Sequence, residues 1–173
     1  MDILHVIGPE NSGGATIAAR SIIDCVGGDE YKIASPTPLQ EAIRCIGGYC
    51  DPRVVREARM ALRSIRSTTV HLHDFKRAGT GWIKACRDEG VRVIASIYDY
   101  WCLCPRDTGY SCCSLRLDSS CWRTWQPAHG RRVPLLVKLP LLKRRQRIMR
   151  WLNQLDAVIC LSRYSEKLLR EHG

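Results

Sequence analysis

The stretch VRVIASIYD, residues 91–99, decides the fold. It is β-branched and nearly all apolar, as a central parallel strand buried on both faces must be. On either side of it, strand-like and helix-like runs alternate. TTVHLHD (68–74) reads as a strand and TGWIKACRDEG (80–90) as a helix closed by Gly90. Upstream, DPRVVREARMALRSIRS (51–67) opens with Asp51 as N-cap and Pro52 at the first helical position. Its Val54, Val55, Ala58, Ala61, Leu62 and Ile65 share one helical face. DILHVIG (2–8), ATIAARSIIDCV (15–26, stopping at Gly27–Gly28) and YKIAS (31–35) carry the alternation back to the start, with a short helical piece over 39–46. DAVICLS (156–162) is the fifth strand, and Ser162 caps a last helix. This order predicts an α/β fold, a doubly wound, Rossmann-like parallel sheet in a single domain over 1–173.

In such sheets ligands bind beyond the carboxyl ends of the strands. Those ends carry Gly8, Ser35, His73–Asp74, Tyr98–Asp99 and Ser162. The loop GPENSGGAT (8–16) sets Gly13 and Gly14 just before a helix, where backbone N–H groups and the helix dipole favour an anion. The plainer reading is a tight turn that needs glycine for positive φ. Ala15 follows Gly14, so the loop is not a Walker A loop, and it is not GxGxxG either. His71 and His73 share one strand face, as metal ligands or as hydrogen-bonded core residues. Asp74 suits a substrate hydroxyl or a turn.

Composition narrows the class. At 173 residues, 45% hydrophobic and 25% charged, the chain buries a real core. A formal charge of +10 implies anionic partners such as phosphate esters, nucleic acid or anionic lipid. MDILHVIGPE has Asp2 where a signal peptide needs positive charge, and no apolar run approaches the roughly 20 residues of a membrane span. A cytoplasmic location is expected, where thiols stay reduced. That argues against disulfides in the one long irregular piece, a cysteine-rich insertion over about 101–130.

SIYDYWCLCPRDT (96–108) resembles the T-h-H-D-Y-W-x-x-C-P-R-G segment of retaining glycosyltransferases of family 4, which have the GT-B fold. ILHVIGPENSGGATIAARSI, VHLHD with RAGTGWIKACRDEGVRVI, and LNQLDAVICLSRYSEKLLREHG resemble other pieces of that family in the same order. The resemblance implies the N-terminal, acceptor-binding domain of a two-domain enzyme. The donor, a nucleotide sugar, belongs to a C-terminal domain with a Glu-x7-Glu motif, and this chain stops where the N-terminal domain of the family stops. A partner domain is therefore expected, and the chain alone is expected to transfer no sugar. The same resemblance places Gly13 and Gly14 at the donor diphosphate and maps the catalytic His-Asp pair onto Tyr98 and Asp99. Tyr98 departs from the family histidine: a phenol can donate to a sugar hydroxyl but does not titrate near neutrality. Trp101 is a candidate for stacking on a sugar face or for plugging the core, and Asp74 for holding a substrate hydroxyl.

Within the insertion, Cys102-x-Cys104 and Cys112–Cys113 are poor chelate spacings. Cys104, Cys112 or Cys113, Cys121 and His129 can still supply four ligands, so a structural zinc stands beside unligated thiols. The basic segment 131–153 combines Leu135, Leu136, Leu139, Leu141, Leu142, Ile148, Trp151 and Leu152 with Lys143, Arg144, Arg145, Arg147 and Arg150. It reads as a solvated helix over a buried face, or as a peripheral contact with the inner membrane face, where lipid-linked acceptors lie. The alternative function is a non-catalytic basic module on nucleic acid or an anionic surface. Nucleic acid is disfavoured because no aromatics interleave with the basic cluster.

Overall fold

A computed structural model describes residues 2–9, 13–35, 37, 50–103 and 143–172. The helical piece expected over 39–46, the cysteine insertion beyond Leu103, and residues 131–142 of the basic segment lie outside the described residues. The elements in chain order are β1 (Ile3–Ile7), α1 (Gly14–Val26), β2 (Asp29–Lys32), α2 (Pro52–Ile65), β3 (Thr69–Leu72), α3 (Phe75–Asp88), β4 (Arg92–Ile97), α4 (Arg144–Leu152), β5 (Ala157–Cys160) and α5 (Arg163–His172). The five strands form one all-parallel sheet in the order β2-β1-β3-β4-β5. The expected α/β Rossmann-like class is therefore observed, with the order reversing between β1 and β3.

Local chemistry sets the helix bounds. Asp51 caps α2, its Oδ1 accepting from the Arg53 N–H at 2.9 Å, with Pro52 in the first turn. Ser162 does the same for α5 through the Ser165 N–H at 3.1 Å. α3 begins earlier than the sequence pattern predicts. Asp74 caps a first turn at Phe75, and the chain then breaks helical geometry at Gly79 (φ 60°, ψ −170°) before resuming. Periodicity is blind to that turn because the glycine interrupts it. β2 sits earlier than expected, over 29–32, because its pairing with Leu4–Ile7 of β1 decides its register, not its apolar content.

The two faces of the sheet differ in chemistry. Leu4, Val6, Val70, Leu72, Val93, Ala95 and Ile97 point to one side and join the apolar residues of α2, α3 and α4 in the main core. Gly81 lets α2 and α3 approach closely: a Cβ there would lie 2.8 Å from Val54 Cγ1. The opposite side carries His5, His71, His73 and Ser96, all buried, beside a small apolar cluster of Ile7 with Ala19 and Ile23 of α1. The strand β5 is stapled to β4 by Asp156, whose Oδ2 accepts from the Val93 N–H at 2.7 Å while Oδ1 meets Arg87 at 3.2 Å. That backbone bond, with Arg87 and Arg92 nearby, holds the Asp156 carboxyl below the usual carboxylate range.

Candidate functional site

The carboxyl ends of β3 and β4 and the first turn of α1 meet at one crevice of about 100 Å³. Its walls include Ala15, His73, Asp74, Lys76, Tyr98 and Asp99. Ala15 follows directly on Gly13 and Gly14, so the diglycine turn and the Tyr98–Asp99 pair open to the same side of the sheet. This is the edge at which the strand order reverses, where open α/β sheets bind ligands.

Gly13 adopts φ 81° and is the N-cap of α1, with no side chain capping the helix and no acidic residue in its first turn. A Cβ at Gly13 or Gly14 would meet nothing within 4 Å. Conformation favours glycine at Gly13, and among the described residues nothing crowds either position. Ala15, in the first turn at the positive end of α1, lines the crevice together with Lys76 and Arg77.

Asp74 spends its carboxylate on its own helix. It accepts from the Arg77 N–H at 3.0 Å and from Arg77 Nη1 at 2.6 Å. The turn reading of Asp74 is the observed one, and the residue shapes the wall while doing so. Asp99 is exposed, and its Oδ1 accepts from the Trp101 N–H at 2.9 Å, which turns the chain after β4. Trp101 is 2% exposed and packs edge-to-face on Phe75 with ring centroids 5.9 Å apart. Its ring also lies under the Arg144 guanidinium at 4.4 Å. Of the two readings of Trp101, stacking on a sugar or plugging the core, its burial and its two protein neighbours favour the plug.

Arg144 is the surprise of the basic segment. It is 2% exposed, and its Nη2 donates to the Trp101 carbonyl at 2.6 Å. Ile148, Met149 and Leu152 of the same helix lie in the main core. The apolar face of α4 is therefore packed into the main core, and only part of the charge counted there is on the surface.

Tyr98 is half-buried, and its hydroxyl lies 2.9 Å from His73 Nδ1. Behind it, His73 Nε2 is 2.9 Å from His5 Nδ1, and His5 Nε2 is 3.1 Å from the Gly27 carbonyl. His71 stands opposite His5 in the sheet register and bonds Ser96 Oγ at 2.8 Å. Burial lowers all three imidazoles from their ordinary value, His71 to about 4 and His73 to about 3, and for these two the neighbouring histidines add to it. Burial raises the Tyr98 phenol, partly offset by Ser96.

One nitrogen from each of His5, His71 and His73 lies within 4.8 Å of the others. A tetrahedral ion with bonds near 2.0–2.1 Å needs ligand nitrogens about 3.3 Å apart. The His5–His73 separation of 2.9 Å is instead that of a hydrogen bond, so the core-histidine reading fits the geometry better. Cys104, Cys112, Cys113 and Cys121, the candidate zinc ligands, lie outside the described residues. Cys102 is buried, and burial raises its thiol well above the ordinary value, as expected of an inert structural cysteine.

Sequence reasoning missed His5 and Ser96. Their signal was a polar residue inside an otherwise apolar strand, at the register position facing the His71–Leu72–His73 repeat.

No curated protein and no solved structure matches the chain. A family model described as Glycosyltransferase Family 4 matches residues 47–173. That span holds β3, β4 and both strand ends that wall the crevice opposite α1. With the match running over most of its length and its sheet laid out as described, the chain belongs to glycosyltransferase family 4.

Proposed function

We propose that the chain is the acceptor-binding half of a nucleotide-sugar glycosyltransferase, with the sugar at Tyr98–Asp99 and the donor diphosphate at Gly13–Gly14. The observation that carries this reading is the convergence of Ala15, Asp74, Tyr98 and Asp99 on one crevice. Family membership supports sugar transfer, and the partial positive charge at the N-terminus of α1, with no acidic residue in its first turn, supports the anion. At about 100 Å³ the crevice is smaller than the roughly 300–1,000 Å³ of a typical ligand site, which favours a second wall from a donor-binding domain. Tyr98 and Asp99 are then the residues nearest the reacting sugar, while Asp74 and Trp101 shape the wall and floor. A peripheral membrane contact would rest on the attraction of Lys143 and Arg150 to anionic lipid, since the apolar face of α4 is already buried. No helix among the described residues is long and apolar enough to cross a membrane.

The test uses uridine diphosphate as probe and the variant Ala15→Glu. A glutamate in the first turn favours the helix dipole, so the variant folds, but it sets a like charge against the phosphates. We expect millimolar binding by the native chain and at least a tenfold loss in the variant. Equal binding by both would refute the diphosphate assignment. Tight binding of duplex DNA that falls steeply between 50 and 200 mM salt would favour the basic-module alternative.

A further inference from the structure

We infer that Tyr98 meets its ligand only as a hydrogen-bond acceptor, because a buried histidine relay holds its proton. His73 and His5 are then positioning residues. The inference deepens the reading above and rests on it for the identity of the ligand.

The polarity of the relay is set at its far end. The Gly27 carbonyl can only accept, so His5 Nε2, 3.1 Å away, carries a proton. A neutral imidazole has one N–H, which leaves His5 Nδ1 as a lone pair. The His73 nitrogen 2.9 Å from it must therefore donate, and that nitrogen is Nε2. His73 Nδ1 is then the lone pair, and the Tyr98 hydroxyl 2.9 Å away donates to it. Each bond fixes the next, and no step is free to run the other way while both rings are neutral.

Neutrality follows from the surroundings. Both rings are fully buried, and His71 faces them with ring centroids 5.5 Å from His5 and 3.8 Å from His73. Among the described residues, the hydroxyls of Ser96 and Tyr98 bond to this layer. Glu30 favours charge on His5, but by less than burial opposes it. The chain has also shaped the far end for this contact. A Cβ at Gly28 would lie 2.6 Å from the Ile3 carbonyl and 2.9 Å from His5 Cδ2, so only glycine lets the turn after α1 close over the His5 ring.

The consequence is specificity. With its proton committed inward, the Tyr98 oxygen offers lone pairs to the crevice and takes a group that donates, such as a sugar hydroxyl. It does not hold a phosphate oxygen. A ligand with both features therefore has one orientation, hydroxyls toward Tyr98 and anion toward the diglycine turn. This reverses the donor role that residue type alone suggests for the phenol.

The test is the tautomeric state of the histidines in the full chain, labelled with ¹⁵N and read by NMR at pH 7. We expect His5 and His73 both protonated on Nε2 and bare on Nδ1, by at least tenfold. In His5→Phe the His73 Nε2 loses its acceptor, and a large share of His73 should move its proton to Nδ1. A native His73 protonated on Nδ1 overturns the inference, and so does a folded His5→Phe chain with unchanged His73. Should that variant not fold, the native spectrum alone decides. Failure of the crevice to bind a sugar would leave these tautomers unchanged, so the two failures are distinguishable.

Discussion

Acidification to pH 5 should cost this protein a large part of its stability, through two histidines. His71 and His73 are held at about 4 and about 3, well below the 6.5 of an ordinary histidine. Both stay neutral in the fold at pH 5, while in the unfolded chain both are almost fully protonated. The unfolded state therefore binds more protons. The stabilisation is complete above about pH 6.5 and is lost as the pH falls from there toward the folded values. Between pH 7 and pH 5 the loss is about 2 kcal/mol for each histidine, or ~4 kcal/mol for the pair. His5 adds to it in the same direction. Against a typical total of about 5–15 kcal/mol that is a large share. Carboxylates with lowered values, such as Asp156, respond only further down the pH scale. Urea denaturation at the two pH values measures the effect. With a slope near 2 kcal/mol/M, the midpoint should fall by about 2 M. His73→Asn should remove about half of the shift. A native midpoint that moves by less than about 0.5 M would refute the buried, neutral histidine layer.

Other outcomes follow from single contacts. Gly81→Ala drives a methyl into Val54 and should destabilise the chain by about 1–3 kcal/mol in the same denaturation assay. Asp156→Ala leaves the Val93 N–H without its 2.7 Å partner and should cost about 1–3 kcal/mol, with hydrogen exchange of that amide speeding up first. Arg144→Leu removes the donor to the Trp101 carbonyl and the cation over its ring; a loss of about 1–3 kcal/mol is expected, and a neutral result would show that neither contact adds net stability.

Most of the sheet was legible because β1, β3, β4 and β5 contain short apolar runs, whereas the polar β2 was displaced from its expected place. Asp51–Pro52 before α2 and Ser162 before α5 are cap signals that survive without tertiary context. The strand ends were legible for the same reason, and with them the positions of Asp74 and Tyr98. The uses of those side chains were not. Asp74 caps its own helix because the first turn of α3, hidden by the Gly79 break, begins directly after it. Trp101 is a plug because Arg144, some forty residues on, folds back over it, and a pairing at that range leaves no local pattern. The histidine layer depends on register. His5 means little in β1 until pairing sets it opposite His71.

The proposed crevice requires the diglycine turn and the Tyr98–Asp99 pair to serve one ligand. Amide chemical shifts of the ¹⁵N-labelled chain, followed while a uridine-diphosphate sugar is added, test it most directly. Concerted shifts are expected at Gly13, Gly14, Ala15, Asp74, Tyr98 and Asp99, with β5 and α5 unmoved. Shifts confined to α4 and α5, with the crevice silent, would contradict it.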